Sequence, residues 1–107
     1  MLDTLPQATF AENLNTLFRM IVDDSSVIEL ELIEVISRKS TPRQEQFSLI
    51  FRAPPDTQIS QGAFMLEHDR LEAGELFLVP VALDSNGLYF QAVFNRLIEP
   101  NEPIAPF

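Results

Sequence analysis

A chain of 107 residues, 46% apolar and 21% charged, is long enough for one domain around a single core; with no cysteine it excludes a disulfide framework, a thiolate metal site and a thiol nucleophile. Its 16 acids against 7 bases give a formal charge of −9, which excludes nucleic-acid binding through a basic face and disfavours anionic membrane surfaces. No apolar run approaches the roughly 18 residues of a membrane span, and the first residues lack a basic and an apolar signal region, so the expectation is a chain made in the cytoplasm without membrane insertion.

Thr9 and Glu12 stand in a Ser/Thr-x-x-Glu capping box, with Phe10, Leu14 and Leu17 at helical spacing. That predicts a short helix over about residues 10–15, placed to plug an open end or cover one face of a sheet. Residues 17–22 and 27–32 are strand formers around the polar turn Asp23-Asp24-Ser25-Ser26. Facing residues share a side, so the favoured register sets Met20 opposite Ile28, Phe18 opposite Leu30 and Arg19 opposite Glu29, with a three-residue loop or an adjacent bulge. Glu29, Glu31 and Arg19 then form the wet side of an amphipathic strand, which accounts for the two carboxylates without acid–base or cation chemistry. After Leu32 the pattern slips, because Ile33, Val35 and Ile36 are apolar on both parities; a bulge, or a strand end covered on both sides, is expected there.

The loop over residues 37–45 carries Arg38, Lys39 and Arg43, the nearest thing to a basic cluster, and reads as solvated. Residues 46–52 form a strand with Phe47, Leu49 and Phe51 inward, ended by Ala53-Pro54-Pro55 because successive prolines remove donors and fix φ. Another strand opens at Gly62, with Phe64 and Leu66 inward. His68 sits between Glu67 and Asp69, which project to the opposite side of a strand. The three therefore do not converge, and a hydrogen-bonded strand-end histidine is the expectation.

Residues 74–96 hold two apolar runs flanking Asn86-Gly87, a strong hairpin signal. A two-residue type I′ turn at Asn86-Gly87 places Leu83 opposite Phe90, Val81 opposite Ala92 and Val79 opposite Phe94 on the inner side. Leu78, Pro80, Ala82, Tyr89, Gln91 and Val93 then form an outer side too apolar for water. Residues 99–107 carry three prolines and predict an extended polyproline II tail beyond a single domain of residues 1–98, with Ile104 and Phe107 as anchors on the chain's own sheet or on a neighbouring subunit.

Phe47-Ser48-Leu49-Ile50-Phe51, Gln61-Gly62-Ala63-Phe64-Met65-Leu66-Glu67-His68, Gly74-Glu75-Leu76-Phe77-Leu78-Val79-Pro80-Val81 and Tyr89-Phe90-Gln91-Ala92-Val93-Phe94-Asn95 together make the chain resemble a small bacterial domain family of unknown function. The resemblance runs from about Phe10 to Asn95. It implies a stand-alone bacterial protein of about this length with no assigned activity, found alongside phage-tail-collar-like proteins, and hence an accessory part of a tail-like or surface assembly. It carries over no catalytic residues.

Six strand candidates joined by short loops predict a mainly β fold: a six-stranded antiparallel meander closing as a small barrel or a two-layer sandwich, with one short N-terminal helix. The expected core is Phe18, Met20, Ile28, Leu30, Phe47, Leu49, Phe51, Phe64, Leu66, Val79, Val81, Phe90 and Phe94, each contributing about 1.5–3 kcal/mol on burial. The expected function is a non-enzymatic structural or interaction module that self-associates or docks on a protein partner, with no cofactor, metal or catalytic residues. Its expected interface is Leu76, Leu78, Pro80, Tyr89, Val93, Ile104 and Phe107. The alternative is a small barrel binding an apolar ligand, disfavoured because phenylalanines leave little lumen.

Overall fold

Alternating apolar and polar side chains set the strands, and in the computed structural model, which describes residues 1–38, 41 and 43–97, they fall close to where the sequence puts them. The elements are a 3₁₀ turn (Leu2–Thr4), α1 (Gln7–Glu12), β1 (Leu17–Asp23), β2 (Ser26–Ser37), β3 (Gln44–Ala53), β4 (Gly62–Glu67), β5 (Gly74–Asp84) and β6 (Gly87–Leu97). All strand pairs are antiparallel and close a six-stranded barrel in the order β1-β2-β3-β6-β5-β4. The barrel form holds and the sandwich does not. A single meander also gives way to two three-stranded ones, β1-β2-β3 and β4-β5-β6, joined through β3·β6 and β1·β4. Closure removes most sheet edges. In this ring β3 and β4 stand opposite each other, so residues 54–61 cross one mouth of the barrel, with Ile59 packed against the core.

The β1–β2 register is the predicted one: Met20 faces Ile28, Phe18 faces Leu30 and Arg19 faces Glu29, with an irregularity between Ile21 and Asp23. Asp23 fixes the turn, its carboxylate accepting the Ser25 N–H at 2.9 Å. A bulge between Leu32 and Glu34 moves the inward parity of β2 from Leu30 and Leu32 to Val35, which faces Leu49. The slip in the apolar pattern is that bulge.

The helix begins earlier than the capping box suggests. Pro6 is the N-cap, its carbonyl accepting the Thr9 and Phe10 N–H groups, so Thr9 lies inside α1 and caps nothing. Phe10 fills the barrel mouth opposite to that crossed by residues 54–61. Its ring centroid lies 5.9 Å from that of Phe47 and 5.5 Å from that of Phe94, and the latter two rings stack at 4.5 Å. Arg96 fastens the N-terminal segment over this mouth. Its guanidinium donates to the carbonyls of Asp3 (2.8 Å) and Leu5, pairs with Glu45 at 3.1 Å, and lies over the Phe47 and Phe94 rings. Leu2 is fully buried against Gly74, where a Cβ would come within 2.6 Å of the Leu2 nitrogen.

The second hairpin departs from expectation. Asp84 pairs with Gly87 and Leu83 with Leu88, so the loop is Ser85-Asn86, one residue before the predicted turn. The Asp84 carboxylate accepts the N–H groups of Asn86 (2.8 Å) and Gly87 (3.1 Å), and these bonds outweigh the Asn-Gly preference. Among the described residues Asn15 alone of the non-glycines has a positive φ, and no glycine has one, so the type I′ turn does not form. Moving the loop by one residue shifts the pairing by two and keeps each side chain on its expected face, whereas the irregularity between Pro80 and Ala82 shifts it by one more and reverses parity for the residues before Val81. The result inverts the β5 face: Leu76 and Leu78 point into the core, while Val81 is 49% exposed and Val79 only half-buried. Val79 and Val81 are therefore not core residues. The rest of the predicted core is buried or, for Ile28 and Phe64, packed against it, and Leu2, Phe10 and Leu32 join it.

Candidate interaction surface

The residues proposed from sequence as an interface separate by face. Leu76 and Leu78 are inside the barrel (5% and 0% exposed) and unavailable to a partner, because the irregularity at Val81 reverses their side. Pro80 lies opposite Phe90, on the inner side, and is half-buried. Tyr89 and Val93 face outward as expected, Val93 being 61% exposed. Tyr89 has a partner already: its hydroxyl donates to the Asp84 carboxylate at 3.0 Å. Partial desolvation, followed by that carboxylate, pushes the phenol above its ordinary pKa. Asp84 is in turn held below the usual carboxylate range, first by the Asn86 N–H. Ile104 and Phe107, with the whole tail of residues 99–107, lie outside the described residues.

What the sequence missed is the true outer row of β5. Phe77 is 55% exposed, and with Val79 and Val81 it occupies the face that inversion turned outward. Phe77 is paired with Ala63 of β4, two residues from the exposed Met65, which faces Ile21 of β1. Val79 faces Gln91 of β6, two residues from Val93. An apolar band thus crosses the outside of β1, β4, β5 and β6. Exposed apolar surface of this kind, rimmed by Glu75, Glu67 and Asn95, marks an interaction site more often than scattered single residues do. One signal for it was present: in Leu76 to Val81 both parities are apolar, so one of them had to face out.

The chemistry-bearing side chains are engaged structurally. His68 caps the end of β4. Its Nδ1 accepts the Arg70 N–H at 3.1 Å, which leaves the ring proton on Nε2 to be donated to Thr16 Oγ1 at 2.8 Å, and Thr16 donates onward to the Asn13 carbonyl. The ring packs 4.4 Å from Phe18, and desolvation, then the Arg70 charge, lowers its pKa. Glu67 and Asp69 point away from it and pair with Arg19 at 3.7 and 2.8 Å. Glu31 holds Arg52 at 2.6 Å. Among the described residues no three His, Cys, Asp or Glu side chains gather as metal ligands, and no helix is long and apolar enough to cross a membrane. The barrel interior is occupied by side chains, Phe18, Phe47, Phe51 and Phe90 among those with no exposure.

Compared with known proteins, residues 5–94 match the model of a family described as a domain of unknown function (DUF6916). No curated protein and no solved structure matches the chain.

Proposed function

The chain belongs to that family of domains of unknown function, DUF6916, and from this premise we propose that it is a non-enzymatic structural module that docks through the apolar outer face of β4, β5 and β6. One observation carries the reading: Phe77, Val81 and Val93, three large apolar side chains about half exposed or more, stand on strands whose inner faces already fill the core. The barrel needs none of them for its own packing, and their burial against a second body is favourable at about 25 cal/mol per Å². The resemblance in sequence adds the kind of setting, a tail-like or surface assembly built from repeated parts. Self-association through this face is the form to test. Light scattering after size exclusion, over a wide concentration range, is expected to show an oligomer that Phe77→Ser with Val93→Ser converts to a folded monomer. A wild-type monomer at every concentration, or an oligomer indifferent to both substitutions, overturns it. An apolar ligand inside the barrel draws no support from an interior packed with phenylalanine rings.

A further inference from the structure

A second surface, at the mouth crossed by residues 54–61, presents backbone rather than side chains. Asn15 N–H donates to the Leu32 carbonyl at 2.7 Å, and Leu32 N–H donates to the Thr16 carbonyl at 3.1 Å, so the polar groups of Leu32 point toward the β1 side of β2. Backbone groups alternate sides along a strand, and β2 pairs with β1 without interruption from Val27 to Glu31. Leu30 and Ile28 therefore also point toward β1, while Val27, Glu29 and Glu31 point the other way. There Glu31 meets Arg52 of β3, but β3 ends at Ala53 and Pro54-Pro55 turns the chain aside. Among the described residues, no strand pairing and no backbone hydrogen bond joins Val27 or Glu29 to the segment 54–61. Two N–H and two C=O groups are left along an open groove of about 690 Å³ between β2 and Pro54, Asp56 and Ile59.

We propose that this edge accepts one extended, basic peptide segment of a partner protein as an added strand. Strand addition is a recurring mode of peptide recognition, with main-chain bonds supplying affinity and alternate side chains specificity. Two features choose the occupant. The charged side chains lining the groove are Glu29 and Asp56, on a chain of net charge −9, so a second copy pairing edge to edge would bring acids against acids and a cationic segment would not. The alternation of β2 sets the pattern: side chains of the added strand on the Val27 and Glu29 side meet a carboxylate, and those on the other side meet Ile28 and Ile59. Lysine or arginine alternating with aliphatic residues satisfies both. The contrast with β5 supports the assignment. Residues 79–84 of β5 also run past their β4 neighbour, but that edge carries Pro80, which has no N–H, and an irregularity at Val81, the usual protections of an edge. Residues 26–30 of β2 contain no proline and no bulge.

The probe is a blocked heptapeptide of alternating lysine and valine, added to the full chain, with amide exchange read by NMR. Val27 and Glu29 N–H groups are expected to slow by about tenfold or more at saturation. Replacing the central valine of the peptide by proline, or substituting Val27→Pro, is expected to abolish this, and Glu29→Lys to weaken binding about tenfold. Val27→Pro removes a donor outside the β1–β2 ladder, so the variant should fold. Absence of protection in the folded wild type overturns the proposal. So does binding indifferent to proline in the peptide or the protein, which would be diffuse charge attraction. Concentration-dependent protection of the same amides without peptide would make a second copy the occupant and also overturn it. The inference shares with the apolar face only the premise of a docking module. Phe77→Ser with Val93→Ser leaves this groove intact, so the two readings fail separately.

Discussion

Gly87 and Gly62 occupy equivalent places at strand starts for different reasons. A Cβ on Gly87 would sit 2.5 Å from the Ala53 carbonyl oxygen and 2.5 Å from Arg52 Cγ, whereas one on Gly62 would meet only the far edge of the Phe64 ring at 3.4 Å. Gly87→Ala is expected to cost about 1–3 kcal/mol by forcing β3 and β6 apart. Gly62→Ala is expected to stay within about 0.5 kcal/mol. Urea unfolding, read as a shift in midpoint at constant slope, separates the two. His68 supplies the pH dependence at this scale. Its folded pKa lies below the ordinary 6.5, so between those values the unfolded chain binds more protons and stability rises with pH. Stability is therefore expected to fall as pH drops from about 6.5, since a proton on Nδ1 forfeits the bond from Arg70 N–H. His68→Gln should flatten that slope in denaturation series at pH 7.5 and 5.5. Asp23 and Asp84 act lower, their depressed pKa values withdrawing stability only as pH falls below 3.8.

Among the elements, the N-terminal segment has the clearest task. It closes one barrel mouth with Phe10 and is held by Arg96 from β6 and by Gly74 from β5. Arg96→Met keeps the aliphatic stem over Phe47 and Phe94 and removes the donors to the Asp3 and Leu5 carbonyls. A loss of about 2 kcal/mol is expected, with residues 2–5 exchanging their amides early. The elements also show what sequence discloses. The β1–β2 register was legible because only one alignment kept apolar side chains together, and Asp23 marked its turn. The β5–β6 register was not, because residues 76–81 are apolar on both parities and alternation cannot choose between them. Asn-Gly then pointed one residue too far along, while Asp84 held the turn with its side chain. Of the expected interface, Val93 and Tyr89 were placed on the correct side and Leu76 and Leu78 were not, since they shared a strand whose parity was reversed. The crossing from β3 to β4 was invisible for another reason: a loop of eight residues reads the same whether it joins neighbours or opposite walls.

At the scale of the molecule, the ring is unevenly joined. β3 and β6 share ten paired residues, from Gln44↔Leu97 to Ala53↔Leu88, whereas β1 and β4 share three, Arg19 to Ile21 against Glu67 to Met65. The short junction is reinforced by His68 against Thr16 and by Arg19 against Glu67 and Asp69. Native-state hydrogen exchange is expected to protect β3 and β6 most and the amides at the β1·β4 junction least, by an order of magnitude or more. An equal rate across both junctions would contradict the inequality.

That asymmetry makes the cylinder resemble a bound book, with a thick spine down one side and a slender clasp down the other. Opening should therefore be directional. The two halves swing about the spine, and the first interior groups to meet water are those beside the clasp, Phe18, Met20 and Leu66, while the rings along the spine stay dry to the last.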